Sequence, residues 1–400
     1  MNLVQKYGGE YLKDMSDIRK IASYVAQTRK QGEGLVIVTA SMLEAASKMT
    51  DRVRTIGGEI SQRDMDALFS AVEQQTAALM AASLTAAGAP AVSVADIRGR
   101  SLSSLEIEEG KHEIVMDAID EAVKDGKIAV VAGFQGIGKF DIEDRLGRYG
   151  AGSTAVVIAA GLGCDCELYG NTKAIYTVEP DVDGKGKPVS EICYEEAMEV
   201  IHLGESDLER RAVELAKGLN VKIYVGPAFD EEKKRGTCIM SRNMIVQESA
   251  VSAISTSDDI VIYTIRGIST KGDILAELFE MLGDLGVNID VISKQTCSDH
   301  SCAVSFSCGR DKIETIDKAF SQNHRFRDLD TARQQDICLI SLVGVGMASH
   351  VGVAGRAFSV LADHDIRTYN ITTSEISISA SIDRDRKADA VIALSEAFSI

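Results

Sequence analysis

Lys6 and Arg148 of this 400-residue chain stand beside runs of glycine. Lys6 is followed by Tyr7, Gly8 and Gly9, and Arg148 sits in the run Leu146-Gly147-Arg148-Tyr149-Gly150-Ala151-Gly152-Ser153-Thr154-Ala155. A lone Lys or Arg is most often a solvated surface cation. Neighbouring glycines change that reading, because a backbone without Cβ atoms approaches oxyanions closely, and a guanidinium presents a planar pair of donors. Both patterns point to anion binding. A third run, Gly133-Phe134-Gln135-Gly136-Ile137-Gly138-Lys139-Phe140, fits the spacing of a phosphate-cradling loop. Phe140 stands where that loop needs a Ser or Thr for magnesium, and the charged stretch Asp141, Glu143, Asp144, Arg145 follows in place of an amphipathic helix. We set that reading aside.

Such loops need strands behind them. Leu35-Val36-Ile37-Val38, Ile128-Ala129-Val130-Val131 and Val221-Lys222-Ile223-Tyr224-Val225 read as buried strands. Between them, Met15, Ile18, Ala22 and Val25 keep helical spacing, as do Ala212, Leu215 and Leu219. Strand-helix-strand alternation over the first 230 or so residues implies a mainly parallel sheet with helices on both faces. Ligands of such sheets bind in loops beyond the carboxyl ends of the strands.

The remainder holds an internal repeat. Ile274, Phe279, Leu282, Val287 and Ile292 return as Val353, Phe358, Leu361, Ile366 and Ile371, each set after a strand and a polar turn containing glycine. Each copy runs on into an alternating strand, Cys302-Val304-Phe306 in the first and Ile376-Ile378-Ala380-Ile382 in the second. Such a copy reads βαββ with a second helical pattern after it. One layer of helices covers only one sheet face, so the copies are expected to pair, with each other or across a dimer. The polar segment from Asp230 to Arg242 is the expected domain boundary.

Composition narrows the partners. The formal charge of −17, from 60 acids and 43 bases, repels nucleic acid and anionic lipid, so neither is expected. A hydrophobic share of 45% with 5% aromatic and no Trp suits an aliphatic α/β core. The start Met1-Asn2-Leu3-Val4-Gln5-Lys6 lacks a basic segment followed by an apolar run, and no apolar stretch is long enough to span a bilayer. A cytoplasmic protein is expected. The eight cysteines form no CxxC pair and read as reduced thiols. Cys297, His300, Cys302 and Cys308 invite a zinc reading, but the alternation at 302, 304 and 306 reads as one strand face, and no metal site is expected.

The order and spacing of several segments resemble aspartokinases over essentially the whole chain. They are Lys6-Tyr7-Gly8-Gly9, Val131-Ala132-Gly133-Phe134-Gln135-Gly136, the 146–155 loop, Glu167-Leu168-Tyr169, Ile175-Tyr176-Thr177, Arg211-Ala212-Val213-Glu214 and Thr373-Ser374-Glu375-Ile376-Ser377. The resemblance implies an α/β amino acid kinase domain, a carbamate-kinase-like three-layer sandwich with a mainly parallel sheet, over 1–232. A linker over 233–256 and two ACT domains of βαββαβ type over 257–330 and 331–400 would follow. It also implies transfer of the γ-phosphoryl of ATP, brought in with Mg2+, to the side-chain carboxylate of L-aspartate. That reaction is the first step toward lysine, threonine and methionine. Joining two anions needs cations and N–H donors more than a base.

By the same resemblance, Lys6, Gly8 and Gly9 serve the transferred phosphate, while Thr39, Glu73, Arg148 and Gly150 hold the amino acid. Gly170, Asn171, Lys173, Tyr176, Ser206 and Arg211 match the nucleotide site. Asn288, Asp290, Ser349, His350, Thr373, Ser374 and Glu375 match the effector positions of the ACT pair. Such pairs bind amino acids between copies, and a homodimer or larger assembly is expected.

The chain also departs from the pattern. Gly152 and Ala151 stand where the resembled loop carries an acid and a hydroxyl, Asn171 and Lys173 lie in a segment that normally offers two acids, Ser206 replaces a lysine, and Glu209-Arg210 replaces a His-Pro pair. Thr270, Lys294 and Arg367 alter the regulatory half. These changes raise an alternative: a catalytically weak or inactive homologue that binds an amino acid and regulates, with hetero-association with an active aspartokinase as one route. Turnover at least about a hundredfold below that of an intact aspartokinase is expected, with some recovery in Gly152→Asp.

Overall fold

The computed structural model describes residues 2–30, 32–58, 60–94, 113–133, 150–183, 186–204, 207–230, 232–245, 249–269, 274–289, 291–298, 301–327 and 329–400. The chain forms two compact units. Met1–Tyr176, Pro188–His202 and Ser206–Glu248 make the first, and Thr177–Lys187, Leu203–Glu205 and Ser249–Ile400 the second.

The first unit is built on eight strands: β1 (Asn2–Tyr7), β2 (Gly34–Thr39), β3 (Ala91–Val94), β4 (Ile128–Ala132), β5 (Asp165–Tyr169), β6 (Glu191–Cys193), β7 (Ile223–Val225) and β8 (Thr237–Met240). They form one sheet in the order β3-β4-β2-β1-β5-β7-β8-β6, parallel throughout except between β7 and β8. Its helices are α1 (Met15–Thr28), α2 (Leu43–Ile56), α3 (Gln62–Ala86), α4 (Glu113–Lys124), α5 (Ala151–Leu162), α7 (Tyr194–Leu203) and α8 (Arg210–Leu219), while the short α6 (Pro180–Asp183) falls in the second unit.

Strand β2 shows why three layers form. All six of its residues are buried, and alternate side chains serve opposite faces. Leu35 and Ile37 join Ile18, Ala22, Met80 and Leu84 of α1 and α3, whereas Val36 and Val38 join Ile119, Ala155, Ala159 and Ala212 of α4, α5 and α8. Helix α1 begins where the Asp14 carboxylate accepts the Ser16 N–H at 2.6 Å, as an N-cap should. Helix α8 buries Ala212, Val213 and Ala216, while Leu219 of the expected stripe is exposed.

The second unit holds two four-stranded antiparallel sheets, made from β9 (Ala253–Ser257), β10 (Val261–Ser269), β11 (Ile292–Ser298), β12 (Ser301–Cys308), β13 (Asp330–Gln334), β14 (Ile337–Val343), β15 (Thr368–Thr373) and β16 (Ser377–Asp383). Their orders are β11-β12-β10-β13 and β15-β16-β14-β9. Helices α9 (Ile274–Asp284) and α10 (Ile313–Gln322) belong to the first copy, α11 (Val353–Asp363) and α12 (Lys387–Phe398) to the second. The first copy is a contiguous βαββαβ unit from β10 to β13. The second takes its outer strand from β9, upstream of the first, so one copy is inserted into the other.

This corrects the expected boundaries. The supposed linker 233–256 contains β8, which pairs with both β6 and β7 of the first sheet, and most of β9. A boundary at 330 cuts into β13, which pairs with β10. The charged run at 230–235 hides the strand behind it, although Thr237, Ile239 and Met240 are buried. The repeat itself places equivalent residues alike: Leu282 and Leu361 are buried, and Ile292 and Ile371 are exposed at 57% and 50% on the edge strands β11 and β15. Ile260, Ile262, Ile337 and Leu339 form an apolar cluster shared by the two copies. Cys302, Val304 and Phe306 face the core of the first copy. Among the described residues, no helix is long and apolar enough to cross a membrane.

Candidate active site

Strand β1 lies between β2 and β5, the point at which the sheet's connections diverge, and a crevice opens beyond the carboxyl end of such a strand. The loops there are laced by backbone hydrogen bonds. Gly8 N donates to Tyr169 O at 3.0 Å, Ala40 N to Tyr7 O at 2.9 Å, and Gly133 N to Thr39 O at 2.8 Å. They wall a cleft of about 660 Å³, lined by Lys6, Gly9, Gly170 and Asn171 of the expected residues, with Gly152 and Glu209 beside them.

The glycines have separate reasons. A Cβ on Gly8 would lie 2.9 Å from the Lys6 ammonium, so its absence makes room for the cation. Gly9 has φ +55°, and a Cβ there would lie 2.4 Å from Asn171 Oδ1. That oxygen accepts the Glu10 N–H at 3.0 Å, and Asn171 Nδ2 donates to Asp207 at 3.2 Å. Gly9→Ala is therefore expected to lower stability by about 2 kcal/mol, from left-handed backbone strain and the displaced hydrogen bond. A urea midpoint unchanged from wild type would contradict this.

Charges are arranged unequally around the cleft. Burial lowers the Lys6 ammonium below its ordinary value, while Glu209 first and Glu73 second push it back up. Burial raises the Glu209 carboxyl, against the Ser153 hydroxyl and Lys6. Glu73, on α3, is buried and accepts from Ser41 Oγ at 3.4 Å. Thr39 ends β2, fully buried, and its hydroxyl has no hydrogen-bond partner among the described residues. Gly150 is the N-cap of α5.

Other expected residues stand apart from the cleft lining. Lys173 is paired with Glu10, and its ammonium lies 4.8 Å from the centre of the Tyr11 ring. Tyr176 makes an isolated bridge to Pro188. Arg211 is paired with Glu214 at 3.5 Å and its side chain is 59% exposed. Arg148, Ser206 and Asp290 lie outside the described residues, as do Lys139, Thr270 and His300. In the second unit, Gly344 N donates to Ile376 O at 2.8 Å, which sets the Ser349-His350 turn and the Thr373–Glu375 segment at one end of the second sheet. His350 Nδ1 donates to the Gly346 carbonyl at 2.8 Å. Asn288 lies between α9 and β11, in the other copy.

The sequence profile of the amino acid kinase family matches residues 1–227, and that of an ACT domain matches 340–398. The aspartokinase of Geobacillus stearothermophilus is 31% identical over 401 residues, which cover 100% of this chain and 97% of that protein. The chain belongs to the aspartokinase family. The Corynebacterium glutamicum aspartokinase is likewise 31% identical, over 413 residues covering 100% of this chain and 96% of that one. Among solved structures, the Clostridium acetobutylicum aspartate kinase superposes with a TM-score of 0.74 at 16% identity, over 99% of this chain and 100% of that chain. That likeness supports the shared fold, an aspartokinase sandwich followed by ACT domains.

Reading this aspartokinase-family chain from sequence missed Glu209 as a site residue. It stood as one half of a replaced His-Pro pair. The usable signal was that Gly152 and Glu209 depart from the family pattern together, and the fold brings them into contact.

Proposed function

We propose that the chain is an aspartate kinase, transferring the γ-phosphoryl of ATP to the side-chain carboxylate of L-aspartate. The observation that carries this is the Lys6 ammonium in a glycine-walled cleft at the switch point of the sheet, in a chain that matches aspartokinases from end to end. An oxygen of the aspartate β-carboxylate attacks the γ-phosphorus, the bond to the β–γ bridging oxygen breaks, and ADP departs with 4-phospho-L-aspartate left behind. Lys6 neutralises charge on the phosphoryl oxygens in flight. Gly8 and Gly9 bring backbone close to the phosphate, and Gly170 and Asn171 form the nucleotide side of the cleft. Thr39, Glu73, Arg148 and Gly150 are assigned to the amino acid, with Glu73 facing its ammonium and Arg148 forking its α-carboxylate. Mg2+ arrives with the nucleotide.

Purified protein given Mg-ATP, aspartate and hydroxylamine is expected to form aspartyl hydroxamate. Calorimetric binding of aspartate without any hydroxamate would favour the regulatory alternative instead. Because Lys6 must keep its proton and burial makes that harder, activity is expected to fall on the alkaline side at a pH below the ordinary lysine value. A flat alkaline profile up to that value would count against Lys6 as the acting cation.

The site of work is assigned to the cytoplasm, in keeping with the described cysteines being free thiols. Association is assigned to edge strands β11 and β15, where Ile292, Tyr369 and Ile371 are exposed and strand edges are unpaired. A dimer burying on the order of 1,600 Å² is expected. Light scattering on the purified chain should give at least twice its mass, and a monomer would refute the assignment. A mass gained only on mixing with an active aspartokinase would indicate hetero-association.

A further inference from the structure

Helix α5 starts with no side-chain cap of its own, since its N-cap is Gly150. A helix start leaves backbone N–H groups in need of acceptors and favours negative charge. Glu209 supplies both from another helix. It is the N-cap of α8, yet its side chain makes no capping bond there. Its carboxylate turns to α5, accepting the Ser153 N–H at 3.1 Å and the Ser153 hydroxyl.

The position it reaches is the one that residue 152 leaves vacant. A Cβ built on Gly152 would lie 2.5 Å from Glu209 Oε2 and 3.3 Å from the Ala212 methyl. The carboxylate thus occupies the space where a side chain at 152 would begin. Lys6, Gly152 and Glu209 line the same cleft.

We propose that Glu209 is the positioning carboxylate for Lys6 in this chain, delivered across the cleft from the first turn of α8 in place of a side chain on residue 152. The inference rests on the aspartate kinase reading given above. It answers the question raised by the missing loop acid: the negative charge is relocated. Glu209 acts through Lys6, so it is a positioning residue. Three described groups face the Lys6 ammonium electrostatically: Glu209 from α8, Glu73 from α3 and Cys166 from β5. Of these, Glu209 opposes the effect of burial most. It is itself held by Ser153, so it presents a fixed negative charge in the cleft that Lys6 also lines. The expectation that Gly152→Asp recovers turnover is thereby reversed. That substitution would drive a second carboxylate into the first, and two carboxylates sharing a site cannot both ionise easily.

Three tests bear on Glu209. In Glu209→Gln, kcat for hydroxamate formation is expected to fall about 10²-fold, as misplaced catalytic groups commonly cost, with the aspartate KM little changed. Unchanged or increased turnover would overturn the proposal, an increase meaning that the carboxylate plugs the anion seat of α5. Separately, the pH dependence of Lys6 acetylation by acetic anhydride, read by peptide mass spectrometry, reports the ammonium without turnover. Its midpoint is expected to move down by about one pH unit in Glu209→Gln, since an attracting negative charge is lost. An unmoved midpoint overturns the proposal even if the protein proves inactive toward aspartate. Gly152→Asp alone is expected to lose at least about tenfold, and Gly152→Asp added to Glu209→Ala to regain at least about tenfold over Glu209→Ala alone, because one carboxylate then stands where one is wanted. A double variant no better than Glu209→Ala would show that the two positions do not exchange this role.

Discussion

Lys6→Met is expected to cut aspartyl hydroxamate formation by about 10³-fold, at the upper end of what losing one oriented charge-stabilising group does to a rate. Methionine fills nearly the same volume, so β1 keeps its packing, and the loss reads charge alone. The reaction joins a carboxylate to a nucleotide carrying several negative charges, and Lys6 is the only Lys or Arg side chain among the described residues that line the cleft. Of the other expected cations among the described residues, Lys173 is tied to Glu10 and Arg211 pairs with Glu214. A variant within tenfold of wild type would mean that phosphoryl transfer happens elsewhere.

The second large effect concerns stability. Glu167 is 2% exposed in the middle of the first sheet, and an ionised carboxylate at such a place needs partners. Gln5 Nε2 donates to its Oε2 at 2.8 Å, the Tyr169 hydroxyl donates to the same oxygen, and Lys233 pairs with Oε1 as an ion pair without hydrogen-bond geometry. The Lys233 ammonium also lies 5.5 Å from the centre of the Tyr224 ring. Glu167→Ala orphans three polar partners at once and is expected to cost about 3 kcal/mol. Glu167→Gln, which keeps the shape and one acceptor, should cost less. Urea unfolding followed by tyrosine fluorescence reads both, and a loss below about 1 kcal/mol for the alanine variant would show that the network contributes little. Because β5 leads directly into Gly170 and Asn171, the same change should loosen the nucleotide side of the cleft.

Local pattern carried the sequence reading where the physics is local. β2 and β4 were legible because a strand covered on both faces must be apolar throughout. Helix α1 was legible from its stripe, and the two-copy repeat from residues such as Leu282 and Leu361, which meet the same kind of core. The exchange of strands between copies was not legible, since Ala253-Ile254-Ser255-Thr256-Ser257 gives no sign that its partner is Leu339–Val343 rather than the adjacent β10. Pairing register is decided by contacts distant in sequence. Glu209 stayed hidden for a similar reason. Its charge reads as an ordinary first-turn acid until the fold sets it against Gly152 and Lys6. Arg211 shows the converse, a residue matched by motif whose side chain turns to its own helix and solvent.

The inserted first copy also has a consequence for how the chain is made. Strand β9 emerges early in synthesis of the second unit, but its partner strand β14 begins only at Ile337. At ~5–20 residues per second, β9 waits on the order of ten seconds with that edge open. The first copy, contiguous from β10 to β13, can close during this interval. The waiting strand carries three hydroxyl side chains and one large apolar residue, a composition poorly suited to sticking to neighbouring nascent chains. A message truncated between the codons for residues 335 and 383 would therefore release a finished first copy beside a half-built second one, with β9 or β14 left as a bare edge for quality control to find.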